Sequence, residues 1–281
     1  MHPDCFAASA DPADPAVAFL RSTFPPHLAT LDNPDHSAET PARPFVTLTY
    51  AQSLDGKIAG AGGAQIRLSG DESMTLTHRL RQLHDSILVG VGTVLNDDPQ
   101  LTVRLPELRP LEEQPAPFIL DSNLRTPPTA KLILNAQKGI SRPVTILTSL
   151  EHAAKTVPEG AAITAVRRDA TGHLDLQSLF SPTSDASIRP SFGRSLMVEG
   201  GASVITSFLA SGLVDLVLVT VAPVLVGAEG VSVTQLGVKM PRLEHVKTQV
   251  FGKDTVFVCR PVYDNHPASA SASSSNACSL N

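Results

Sequence analysis

One short stretch of the chain combines residue types that can hold an anionic ligand. Ile87-Leu88-Val89 runs into Gly90-Val91-Gly92, then Thr93, then the acidic pair Asp97-Asp98 ahead of Pro99. Three consecutive apolar residues are the pattern of a strand buried on both faces. The glycines permit tight turning and close approach of backbone to a ligand. Thr93 is expected as the N-cap of a short helical turn, and Pro99 stops that turn while biasing Asp98 towards extended geometry. The chemistry of such a place is phosphate binding at a helix start. It does not meet the dinucleotide fingerprint, because Leu95 stands where a third glycine belongs. Taken alone, the stretch reads equally well as a tight structural turn.

A second stretch repeats the pattern. Leu196-Met197-Val198-Glu199 is followed by Gly200-Gly201-Ala202-Ser203-Val204, with Val204, Ile205, Phe208, Leu209 and Leu213 at helical spacing. The helix start offers free amides and a partial positive charge, a seat for a pyrophosphate. Glu199 stands at the strand's carboxyl end, where an acid beside a phosphate seat is costly unless it contacts something. Arg81, on an earlier helix, either snorkels to solvent or points its guanidinium into the adjoining cleft. Asp55-Gly56 is first of all a turn signal. His78 and His84 are expected to be solvated or satisfied helix residues, and His27 and His36 to be solvated. Cys5, Cys259 and Cys278 form no C-x-x-C pair, so neither a metal site nor a zinc deaminase signature is expected.

The elements that must position these residues follow from the rest of the chain. Its 281 residues suffice for one large domain or two small ones, and a net charge of −5 without Lys/Arg clusters argues against a nucleic-acid surface. No apolar run approaches a bilayer span, and sparse cysteine fits a reducing, cytoplasmic setting. Residues 1–43 read as an irregular arm with one helix near Val17–Phe24, residues 44–263 as the main folded domain, and residues 264–281 as a disordered tail. Strands are expected at Phe45–Tyr50, Phe118–Ser122, Val144–Ser149 and Ala162–Val166, and in one or two pieces over Val214–Val226, where Pro223 suggests a bend or an edge. A helix is expected to open at Ser69 with Glu72 in capping-box spacing and to bury Leu76, Leu80, Leu83 and Ile87. Cys259 is expected to be a buried thiol. Gln249–Phe251 and Thr255–Arg260 close the domain as a hairpin. Strands alternating with helices and finishing in antiparallel pieces imply an α/β fold with a mostly parallel central sheet and an antiparallel C-terminal edge.

Four motifs in order resemble the riboflavin-biosynthesis reductase family: Ser53-Leu54-Asp55-Gly56-Lys57, Val89 to Pro99, Leu101-Thr102-Val103-Arg104, and Glu199-Gly200-Gly201-Ala202. The resemblance covers about Pro44 to Val262 and is greatest to the stand-alone fungal members. It implies a dihydrofolate-reductase-like fold, NADPH as hydride donor and a homodimer. Bacterial relatives carry a zinc deaminase ahead of the reductase, and its absence here implies a reductase alone. By resemblance, Ala51, Thr93, Asp97, Gly200, Gly201, Ala202, Ser203 and Val204 bind the cofactor, with Ser122 as a further contact. Arg81, Leu101, Arg104 and Glu199 match the substrate-contacting positions. By analogy of fold, Thr148, Ser149 and Val166 lie near the adenosine end. Gln65 and Arg67 occupy positions where bacterial relatives have other ligand-contacting residues.

The implied reaction converts the ribosyl side chain of a ribosylamino-pyrimidinone 5′-phosphate to ribityl. Ring opening of the sugar gives an imine at C1′ that accepts hydride directly. Arg81 and Arg104 are expected to grip the 5′-phosphate by forked bonds, and Glu199 to recognise the pyrimidine's amino groups or orient the sugar. Asp55 or bound water would deliver the proton. Two alternatives stand beside this reading. One is a pterin reductase of the same fold, distinguished by indifference to phosphate. The other is a nucleotide-binding regulator, distinguished by absence of NADPH turnover.

Overall fold

The computed structural model describes residues 14–26, 28, 43–105, 110–181 and 191–263. The expectations for His27, His36, Cys5, Cys278 and residues 264–281 therefore lie outside the described residues. The elements are α1 (Pro15–Thr23), β1 (Phe45–Ser53), β2 (Lys57–Ala61), α2 (Asp71–Leu83), β3 (Ser86–Gly90), α3 (Val91–Asp97), β4 (Ala116–Leu120), α4 (Lys131–Gln137), β5 (Val144–Ser149), β6 (Ala161–Val166), α5 (Leu176–Phe180), β7 (Ser195–Glu199), α6 (Ala202–Ser211), β8 (Leu216–Ala222), β9 (Gly230–Ser232), β10 (Arg242–Phe251) and β11 (Asp254–Val262).

Nine strands form one sheet in the order β10-β11-β8-β1-β7-β3-β4-β5-β6, and β2 pairs with β9 in a small separate sheet. The pairings from β8 across to β6 are parallel, while β11 runs antiparallel to both β8 and β10. This is the mostly parallel α/β sheet with an antiparallel C-terminal edge that the strand pattern implied.

Side-chain alternation divides the core. Ile87 and Val89 of β3 point to the face covered by α1, α2 and α4, whereas Leu88 points to the face covered by α5 and α6. On the first face, α1 buries Val17, Phe19 and Leu20, and the Phe19 ring meets Phe251 edge-on at 5.3 Å. Asp14 caps α1 by accepting from the Ala16 amide at 2.8 Å and also accepts from Arg79 Nε at 2.9 Å, tying α1 to α2.

Several local expectations are corrected. The N-cap of α2 is Gly70, not Ser69, and no side chain caps it. The Gly70 amide instead donates to Asp254 at 2.7 Å, a partner from the closing hairpin that overrides the local capping box. Ile87 lies in β3, because α2 stops at Leu83. Helix α3 begins directly after Gly90, so Thr93 sits inside its first turn and is not the N-cap. Asp98 is left-handed (φ 43°) and not extended; its carboxylate accepts the Lys131 amide at 2.8 Å, which fixes this conformation. The Val214–Val226 run forms the single strand β8, ending at Ala222 ahead of Pro223. Cys259 is only half-buried, in β11 between β10 and β8.

Candidate active site

A cleft of about 1660 Å³ opens at the carboxyl ends of β1, β7, β3 and β4. Since β7 lies between β1 and β3, the turns after Gly90 and Gly200 are neighbours across one groove. The glycines divide into two kinds. A Cβ on Gly90 would meet Val204 Cγ2 at 2.6 Å, and one on Gly200 would meet Val204 Cβ at 2.6 Å. These two glycines exist so that α6 can seat Val204 against both turns. A Cβ on Gly92 or Gly201 would meet nothing within 4 Å, and both residues line the cleft. Their bare backbone leaves room there for a ligand. Helix α6 starts at Gly201 without a side-chain cap. Its first amides and its dipole therefore form a seat for negative charge.

Of the cofactor residues expected from sequence, Ala51, Thr93, Asp97, Ser122, Gly200, Gly201, Ala202, Ser203 and Val204 all line this cleft. Burial raises the Asp97 carboxyl above the usual range. Val166 is buried at the end of β6, and Thr148 and Ser149 are buried at the end of β5; none of the three is on the cleft wall. Gln65 and Arg67 do line it, with Arg67 paired to Asp71.

The wall under α2 is made of charged side chains. Arg81 lies on the inner face of α2, nearly inaccessible to solvent, and its fork meets Glu199 at the tip of β7: Nε to Oε1 at 2.8 Å and Nη2 to Oε2 at 2.8 Å. Burial opposes the charge of Arg81, but the charge and hydrogen bonds of Glu199 outweigh it and raise its pKa. The remaining arm, Nη1, donates to the Thr102 carbonyl at 3.1 Å. Arg81 thus points inward, and its fork is committed to Glu199, which removes the expected forked grip on a phosphate from this residue.

Leu101 is buried with a left-handed backbone (φ 56°), and it turns the chain so that Arg104 follows at the rim. Arg104 is exposed and off the cleft lining, yet close enough to feel Arg81 and Glu199. Partial burial and then Arg81 repulsion lower its pKa, with Glu199 offsetting them in part. Among the described residues it makes no ion pair, so its guanidinium is available to an incoming anion.

Asp55 stands off the cleft. Its carboxylate accepts from Ser53 Oγ at 2.6 Å and from the Val226 and Gly227 amides at 3.1 and 2.7 Å. The Ser53 hydroxyl, then these amides, hold its pKa down at about 2. An acid ionised at every working pH is a poor proton donor, and the geometry gives Asp55 the role of clamping the β1–β2 turn.

Sequence reasoning passed over Asn96, Arg125 and Arg168, all of which line the cleft. Arg168 follows β6, and its Nη2 lies within hydrogen-bond distance of Ser122 O, Asn123 Oδ1, Ser149 Oγ and Glu151 Oε1, pinning together the ends of β4, β5 and β6. Their place just past the carboxyl ends of parallel strands was the available signal. Among the described residues, no group of three or more His, Cys, Asp and Glu is arranged to hold a metal, and no helix is long and apolar enough to cross a membrane.

With this geometry in place, comparison with known proteins is informative. The profile of the RibD C-terminal domain matches residues 44–257. The chain is 34% identical over 223 residues to the riboflavin biosynthesis protein RibD of Aquifex aeolicus, covering 77% of this chain but only 58% of that protein. It is 34% identical over 224 residues to the 2,5-diamino-6-ribosylamino-4(3H)-pyrimidinone 5′-phosphate reductase of Candida glabrata, covering 76% of this chain and 88% of that protein. Among solved structures, the riboflavin biosynthesis reductase of Saccharomyces cerevisiae superposes with a TM-score of 0.65 at 29% identity, covering 80% of this chain and 93% of the other.

Proposed function

Because the chain belongs to the RibD C-terminal domain family, we propose that it is the reductase of riboflavin biosynthesis. In this reading it reduces the ribosyl side chain of 2,5-diamino-6-ribosylamino-4(3H)-pyrimidinone 5′-phosphate to the ribityl form, with NADPH as reductant. The observation that carries the reading is the adjacency of two glycine turns across one cleft, facing the Arg81–Glu199 pair.

The residues present fit a dinucleotide: the open positions at Gly92 and Gly201 and the uncapped start of α6 form a cradle for a pyrophosphate. Gly200, Gly201, Ala202, Ser203 and Val204 would hold it, with Ala51, Thr93, Asp97 and Ser122 lining the same wall. When bound, the cofactor supplies the hydride, and the protein supplies alignment and charge.

Arg104, whose guanidinium makes no ion pair among the described residues, binds the substrate's 5′-phosphate. Arg81 acts through Glu199, holding both carboxylate oxygens so that their remaining lone pairs face the pyrimidine's amino groups. Leu101 sets the turn that presents Arg104. The proton that completes reduction comes from bound water, since Asp55 is ionised and its carboxylate is taken up by Ser53 and the Val226 and Gly227 amides.

Consumption of NADPH on addition of the ribosylamino substrate tests the proposal; no consumption by folded protein would end it. Arg104→Ala should raise KM for the phosphorylated substrate roughly 10- to 100-fold, the worth of a charge-assisted hydrogen bond. An unchanged KM removes Arg104 from the phosphate site and favours a pterin-type substrate. A cytoplasmic homodimer belongs to the same proposal. It is supported by the apolar side chains Leu243, Val246, Val250 and Phe257 left exposed on β10 and β11, and light scattering in solution would check it.

A further inference from the structure

The segment from Asp98 to Leu105 carries Arg104 but belongs to neither helix nor sheet. Its backbone is held by buried side chains at three successive residues, Thr102, Val103 and Arg104. Arg81 Nη1 donates to the Thr102 carbonyl at 3.1 Å, Gln114 Oε1 accepts from the Val103 amide at 2.8 Å, and His78 Nδ1 accepts from the Arg104 amide at 3.2 Å. His78 lies one helical turn before Arg81 on α2, and only 6% of it is exposed.

We propose that His78 is a positioning residue for substrate binding: as a neutral imidazole it fixes the Arg104 backbone, and so sets where the Arg104 guanidinium meets the substrate phosphate. The inference rests on the reading of Arg104 given above. Among the described residues no ion pair fixes the Arg104 guanidinium at its tip. Its placement therefore depends on where its backbone is anchored.

The hydrogen bond requires a lone pair at Nδ1, hence the tautomer with the proton on Nε2. The charged groups facing the ring are Arg81 on its own helix, Arg104 on the segment above and Glu199 at the tip of β7. Burial first, and then the two arginines, push the His78 pKa down to about 4 against smaller opposing pulls from Glu199 and a hydrogen bond to the Thr102 backbone, so the imidazole is neutral at neutral pH.

The test compares His78→Leu with His78→Asn, whose amide oxygen can accept near the Nδ1 position. The Leu variant should raise KM for the phosphorylated substrate about 10-fold, with kcat and NADPH affinity unchanged within about 2-fold, and the Asn variant should recover most of the loss. Adding His78→Leu to Arg104→Ala should raise KM no further, because both act through one contact. Unchanged KM in folded His78→Leu, or equal loss in the Leu and Asn variants, overturns the inference. Should the Leu variant not fold, His78→Ala with added imidazole reads the same quantity: recovery of KM supports the role and no recovery overturns it. The two readings fail separately. Arg104→Ala with normal KM sinks the phosphate site itself, whereas a raised KM there with a normal His78→Leu sinks only the positioning role.

Discussion

On the wall formed by the β3–α3 and β7–α6 turns, the cleft is shaped by missing side chains: Gly90 and Gly200 admit Val204, while Gly92 and Gly201 leave bare backbone facing the groove. On the opposite wall, under α2, the cleft is shaped by side chains paired with one another, Arg81 with Glu199, and behind that wall Gln114 and His78 hold the backbone of the Arg104 segment. The first wall suits a ligand recognised through phosphate oxygens by amides. The second suits a ligand read by charge and hydrogen-bond pattern. The difference teaches that the two halves of one site fail differently. A glycine wall is sensitive to added volume, and a paired-charge wall to removed partners.

The largest effect should come from breaking a pair. Glu199→Ala leaves the nearly inaccessible Arg81 guanidinium uncompensated and should cost about 3–5 kcal/mol of stability by urea unfolding, together with activity. A loss below about 1 kcal/mol would mean that this wall is solvated and that the contrast is false.

Acid should act next, on the two buried histidines of α2 and its C-cap, which pack behind the cleft. Burial pushes His84 from 6.5 to about 4, and its ring bridges Leu80 O at 2.7 Å and Thr47 Oγ1 at 2.8 Å. His78 is displaced in the same direction. The unfolded chain takes up these protons first, so stability is complete above about pH 6.5 and falls as pH drops towards 4. The loss for His84 reaches up to about 3 kcal/mol. Unfolding midpoints measured between these limits check it, and a flat profile would contradict the assignment of these rings as buried and neutral.

Added volume comes third. Gly200→Ala places a methyl against Val204 and should cost about 1–3 kcal/mol by displacing the start of α6. The smallest effect on stability is expected of Gly201→Ala, within about 0.5 kcal/mol, because its Cβ meets open space. That variant should nevertheless weaken NADPH binding by titration. If Gly201→Ala binds NADPH normally, the open position is not part of the cradle.

Both glycine turns were readable in the chain because an apolar run ending in glycine is a local signal, and the strand order then makes them neighbours. The helix caps were not. Ser69 and Glu72 stand in capping-box spacing, yet the Gly70 amide goes to Asp254, 184 residues away in the chain. The reason for Gly90 and Gly200 was also hidden: sequence suggests close approach to a ligand, and the atom that comes close is Val204 of α6. Arg81 could be named as a candidate, but whether it faced phosphate or carboxylate depended on Glu199, 118 residues away.

What the sequence determined by itself is most of the core strands, the glycine-bearing strand ends and the residues able to bind anions, because hydrophobic period, glycine and proline act within a few residues of themselves. What only the tertiary structure decided is which charges are already satisfied. Arg81 and Arg104 are chemically alike in the sequence, and one is paired while the other is available. Pairing is a matter of distance and burial across the fold, which local spacing does not encode.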